Sequence, residues 1–196
     1  MSIISDFISS VISTHKTGKA TEHSYRPALK TLFDALAPTE IEATNEPKRE
    51  ACGAPDFILQ RGDIAVGHVE AKDIFVDLRV MKDANKNQKE RYLKALPNLI
   101  YTNCLDWDFY RDGQLVGSVT IADPVMGIHP NPQHFETLEN LLRDFISQKP
   151  QTITSPKDLA GRMAGKAALI KDVLRAALTH DKDLASDLGG QFKAFK

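Results

Sequence analysis

The sequence predicts an α/β fold: a central mixed sheet flanked by helices, with an extra β-hairpin and C-terminal helices. Three observations lead there. Segments near both ends carry apolar residues at helical spacing, short β-rich segments fill the middle, and one polar helix separates two of those strands. The 196 residues, 42% hydrophobic and 26% charged with a formal net charge of −1, have globular proportions. A domain of this size buries roughly 70% of its unfolded surface and needs no disulfide staples.

The elements follow in order. Ile3, Ile4, Phe7, Ile8, Val11 and Ile12 predict a helix over 3–14. A second helix is expected from Thr21, a plausible N-cap, to Ala37, with Tyr25, Leu29, Leu32, Phe33 and Leu36 as its stripe and Pro38 as its stop. Ile41–Thr44 reads as a strand, and 56–60 and 64–73 as hairpin arms turned at Arg61-Gly62-Asp63. Residues 83–96 form the polar helix, and 99–103 a buried strand. A hairpin over 107–122 turns at Asp112-Gly113. A proline-containing loop over 124–132 precedes a helix over 133–148. Ser155-Pro156-Lys157-Asp158 then starts a last helix, which runs to about His180. The expected division is a domain over 1–150, with its core at 21–105, and a helical connector over 151–196 leading to further domains.

Several classes are excluded. No stretch approaches the ~18 apolar residues of a membrane span, so no membrane partner is expected. The N-terminus has no basic region of a signal peptide. Cys52 and Cys104 lie far apart, which suits a reducing, cytoplasmic setting. Near-zero net charge offers no global attraction to nucleic acid, so DNA would have to be held by local sites or by another part of a larger protein. Thr17-Gly18-Lys19-Ala20-Thr21 is similar to the end of a phosphate-binding loop. It lacks the upstream glycine and the required hydroxyl, so no nucleotide cofactor is expected. His129 and His134 do not have the spacing of a helical zinc pair and read as structural or solvent-facing.

The chemistry concentrates in the hairpin. Glu70 and Lys72 lie two apart on a strand and therefore point the same way, while Val69 and Ala71 face the core. With a three-residue turn, Gln60 faces Ile64 and Asp56 faces His68. Glu70 is then the diagonal neighbour of Asp56 at roughly 7–8 Å. A one-residue slip would put Asp56 on the opposite face. Two carboxylates that lean together suit a hard divalent ion, Mg²⁺ with Mn²⁺ able to substitute, and the carbonyl of Ala71 is a plausible third ligand. Lys72 beside the ion would orient a water or stabilise negative phosphate oxygens. Two acids and a lysine on one strand pair suit phosphodiester hydrolysis. An acid-x-Lys triplet alone is weak, since on the order of one arises by chance in such a chain. Glu46-Pro47-Lys48 is such a decoy, in a polar loop with no Asp opposite it.

Thr21-Glu22-His23-Ser24-Tyr25-Arg26-Pro27, Asn45-Glu46-Pro47-Lys48-Arg49, Cys52-Gly53-Ala54-Pro55-Asp56-Phe57 and Val69-Glu70-Ala71-Lys72-Asp73 occur in this order. They resemble the N-terminal nuclease domain of large single-chain restriction–modification enzymes (type ISP or type IIG-like), within the PD-(D/E)xK nuclease superfamily. Gln88-Lys89-Glu90-Arg91-Tyr92-Leu93 and Leu96-Pro97-Asn98-Leu99-Ile100 resemble its continuation, so the likeness covers about 20–105. The resemblance implies a Mg²⁺-dependent endonuclease acting on double-stranded DNA, with Asp56 and Glu70 as metal ligands and Lys72 as catalytic lysine. It also implies Glu22 as a completing acid and Gln88 as a polar group able to reach the site. Methyltransferase, target-recognition and in some cases helicase domains follow in such polypeptides.

Blander readings stand beside these. Asp56 could cap a turn, and Glu70 with Lys72 could be a solvated ion pair contributing under ~1 kcal/mol. Glu22 suits a first helical turn nearly as well as a metal. Gln88 reads first as a surface helix residue, Tyr92 as a core anchor, and His68 as a polar residue that could line the cleft. The alternative function is a catalytically silent nuclease-fold module for docking; a stand-alone repair-type nuclease is a weaker third.

Overall fold

The computed structural model describes residues 2–45 and 55–148, together with scattered positions between 159 and 175. The chain divides into two compact units, Met1–Pro47 with Pro55–Gln151, and Lys48–Ala54 with Thr152–Lys196. In the second unit the described positions between 159 and 175 are helical; the helix start expected at Ser155 and the decoy Glu46-Pro47-Lys48 lie outside the described residues.

The first unit opens with α1 (Ile3–His15), capped by Ser2, whose hydroxyl accepts from the Ser5 amide at 3.2 Å. Its buried stripe is Ile4, Phe7, Ile8 and Val11. The second helix starts later than its periodicity suggests. Thr21 caps a 3-10 turn over Glu22–Tyr25, and α2 runs over Arg26–Leu36. Pro27 explains the difference. In an α-helix begun at Thr21 it would sit in the interior, without the N–H for the preceding turn, whereas near the start of α2 that donor is not needed.

β1 (Glu42–Asn45), β2 (Phe57–Arg61), β3 (Ile64–Ala71), β4 (Asn98–Thr102), β5 (Asp106–Arg111) and β6 (Gln114–Thr120) form one sheet in sequence order. Neighbours are antiparallel except β3 and β4, which run parallel through the crossover helix α3 (Asp83–Ala95). The mixed sheet expected from the sequence is therefore present, and the hairpin read as an addition is its edge. Asp112 and Gly113 both have positive φ at that turn, the geometry that Asp-Gly favours. A two-stranded ribbon, β7 (Ala122–Asp123) with β8 (His129–Pro130), follows, and then α4 (Phe135–Ser147).

Every residue of β4 is buried because both faces of the sheet are covered. On one face Phe57, Leu59, Val69, Ile100, Trp107 and Phe109 join side chains from α1, α2 and α4 in the main core. On the other, α3 lays Tyr92 against Tyr101 and sets the Lys89 ammonium over the rings of Tyr101 and Tyr110. α4 is seated closely on the first face: a Cβ on Gly67 would overlap the ring of Phe145, and the Asn98 amide donates to the carbonyls of both Val66 and Phe145. Gly67→Ala is therefore expected to destabilise the fold by about 2 kcal/mol. A thermal melt should fall by roughly 4–8 °C. No helix among the described residues is long and apolar enough to cross a membrane.

Candidate metal and phosphodiester site

The register of the β2–β3 hairpin brings the site together. The turn holds two residues, not the three expected, with Arg61 opposite Ile64 and Gly62 at positive φ. A bulge between Leu59 and Gln60 then shifts the pairing once more, so that Ile58 faces His68 and Phe57 faces Val69. Each irregularity moves the register by one residue in the same direction. Side chains alternate with period two, so the combined shift preserves the face. Asp56 and Glu70 are the next residues beyond the Phe57–Val69 pair, where a diagonal relation across an Asp56–His68 pair was expected.

Asp56 lies just before β2, and both of its oxygens are held. Oδ2 accepts the Ala71 amide at 2.8 Å, and Oδ1 accepts from the Arg26 guanidinium at 2.5 Å. The N–H and C=O of one strand residue point to the same side. The Ala71 carbonyl is thus directed to the side on which its amide meets Asp56, as its expected ligand role requires.

Glu70 and Lys72 are both buried, with side chains 5% and 7% exposed. The Lys72 ammonium donates to Glu70 Oε1 at 2.6 Å and to Gln88 Oε1 at 2.8 Å. Its backbone is tied in turn by its own amide, which donates to the Thr102 carbonyl. A solvated ion pair is ruled out by this burial, and Gln88 is an inward-facing residue of α3, not the surface position read first. Its amide nitrogen reaches the Tyr92 hydroxyl at 3.4 Å, one helical turn on. Burial and the charge of Asp56 push the Glu70 carboxyl up to about 7, against the opposing pull of Lys72. The two carboxylates are therefore within electrostatic reach of each other.

Other expected residues stand further back. Glu22 also raises Glu70, but its carboxylate is 3.8 Å from Arg26, and among the described residues no three His, Cys, Asp or Glu side chains gather closely enough to hold a metal. It is thus not in place as a completing ligand: the 3-10 turn that carries it directs it toward Arg26. His68 is half-buried, two residues before Glu70 on the same face. His134 bonds to the Thr120 carbonyl at 2.7 Å, in keeping with its structural reading.

Two residues of the site escaped the sequence. Arg26 is separated from Asp56 by thirty positions, and its one local signal is the i,i+4 relation to Glu22. Tyr101 pairs with Glu70 across β3 and β4, and its buried hydroxyl finds no hydrogen-bond partner among the described residues. Burial, with Glu70 adding to it, pushes that hydroxyl's pKa up and keeps it protonated.

The donor set is two carboxylates and a backbone carbonyl. Hard divalent cations take such oxygens, with water filling the rest of the shell, so the residues present fit Mg²⁺.

No family model matches the chain, and no curated protein matches it. Among solved structures it is similar to a chain in the cryo-EM structure of a DrdV–DNA complex, with a TM-score of 0.57 and 20% identity. The match covers 76% of this chain and 14% of that one. What the two share is the α/β fold: a mixed sheet flanked by helices. This chain spans about a seventh of the other's length.

Proposed function

We propose that the chain is the cleavage module of a Mg²⁺-dependent DNA endonuclease within a larger restriction–modification polypeptide. One observation carries the reading: the Asp56 carboxylate accepts the amide of Ala71, the residue after Glu70, and the Lys72 ammonium lies 2.6 Å from Glu70. The fold shared with a DNA-complexed protein supports it, as does the ordered series of motifs across 20–105.

Asp56, Glu70 and the Ala71 carbonyl would hold the cation, which when bound activates water and offsets charge on the scissile phosphate. The chain's own groups do the rest. The Ala71 amide fixes the rotation of Asp56, and Lys72 carries a positive charge to the edge of the carboxylate pair. There it would face the attacking water or the phosphate oxygens that gain charge. Gln88 Oε1 accepts a second bond from the ammonium, and the Gln88 amide nitrogen is in turn bonded to the Tyr92 hydroxyl. Recognition of sequence, methylation and any motor activity would belong to other domains.

Nicking of supercoiled plasmid at high protein concentration tests the reading. Wild type is expected to nick with Mg²⁺ or Mn²⁺ and to stop on chelation, Asp56→Ala is expected to be inactive, and Lys72→Ala is expected to nick about 10²–10³-fold more slowly. Equal residual nicking by all three proteins would remove the catalytic assignment.

A further inference from the structure

Arg26 is a buried cation that the hydrolytic scheme does not use. Its side chain is 7% exposed, and its Nη2 lies 2.5 Å from Asp56 Oδ1 and 3.8 Å from Glu22. The Ala71 amide takes the other oxygen of Asp56. The chain's own donors thus engage both oxygens of a residue assigned to a metal. A buried guanidinium is costly unless paired, so Arg26 does not leave Asp56 without another anion to meet.

We propose that Arg26 is the exchangeable counter-ion of Asp56. A divalent cation displaces the guanidinium from Oδ1, and the released guanidinium takes a phosphate oxygen of the DNA. This rests on the metal reading above. A guanidinium and a dication sharing one carboxylate oxygen would stand about 4 Å apart, a repulsion that a mostly buried site screens weakly. Arginine's planar fork suits phosphate as well as carboxylate, so DNA supplies the partner that the cation takes away. Glu22, already beside the guanidinium, gives it an anion during the exchange. Cation and phosphate therefore bind cooperatively, and by linkage each raises affinity for the other by the same factor.

Calorimetric titration of Ca²⁺ into the full chain, with and without a short DNA duplex, tests this in wild type, Arg26→Met and Asp56→Ala. Without DNA, Arg26→Met is expected to bind Ca²⁺ about tenfold more tightly than wild type; DNA is expected to tighten wild type about tenfold more than it tightens the variant, in which only the cation's own contact with phosphate remains. A purely structural arginine predicts the opposite sign, because an unsupported Asp56 binds less well. Equal or weaker binding by a folded Arg26→Met overturns the proposal. If that variant fails to melt cooperatively, the wild-type Arg26 Nε–H resonance decides. It should move in step with Mg²⁺ saturation, and a resonance unchanged at saturation refutes the exchange. The metal reading fails separately, if wild type binds no Ca²⁺ or Asp56→Ala binds it equally.

Discussion

Lys72→Ala is expected to lower the single-turnover nicking rate about 10²–10³-fold, the usual loss when one preorganised donor is removed from developing charge. Lys72 touches both Glu70 and Gln88, so the substitution removes two contacts at once. The buried Glu70 carboxyl, already pushed up to about 7, loses the cation that opposes the shift. It therefore rises further and holds a proton at neutral pH. That proton competes with metal, so the Mn²⁺ affinity of Lys72→Ala should recover toward wild type at high pH while the nicking rate does not. Gln88→Ala, which acts only through Lys72, is expected to lose about tenfold, with a pH profile like that of wild type. Rates and Mn²⁺ affinities measured across pH 6–9 separate these outcomes. A Lys72→Ala rate restored at high pH would reduce the lysine to a tuner of Glu70.

Without divalent ions, the protein should lose stability as pH rises from about 4.5 to about 7. Below that range Glu70 is protonated in both folded and unfolded chains, so it contributes no difference. Within it, the unfolded chain has released the proton and the folded chain still binds it, so each pH unit costs up to about 1.4 kcal/mol. Above about 7 the full penalty of a buried carboxylate remains. The whole interval amounts to roughly 3 kcal/mol. A melt should then fall by roughly 6–12 °C. Glu70→Gln cannot ionise and should lack this slope. Thermal melts in chelator at pH 5 and pH 8 read the effect; equal slopes in the two proteins would mean that Glu70 does not titrate in the fold. Mg²⁺ added at pH 8 should stabilise wild type and leave Glu70→Gln much less affected.

Local chemistry made much of the fold legible. The apolar stripes of α1 and α4 and the Asp-Gly turn between β5 and β6 have a local period or turn signature, and the apolar run Leu99-Ile100-Tyr101 marks β4 as a strand buried on both faces. The exceptions have physical causes. The helix expected from Thr21 begins in α form only at Arg26 because Pro27 tolerates no earlier start, and the second hairpin joins the main sheet because β5 pairs with β4.

For the site, the sequence by itself determined that Glu70 and Lys72 share a face, because they are two apart on a strand. That Asp56 joins them was decided by the folded hairpin: the shorter turn alone would have put it on the opposite face, and the bulge restored the parity. Tertiary structure decided how closely they meet. A shorter turn and a bulge moved the pairing by two residues, so that Ile58 and not Asp56 faces His68, and Asp56 and Glu70 both follow the Phe57–Val69 pair. It also decided that Gln88 faces Lys72 and that Arg26 rests on Asp56. Those contacts join residues far apart in the chain, and no periodicity spans such a distance. They exist because α3 and α2 pack against the sheet, and only the packed chain places their side chains.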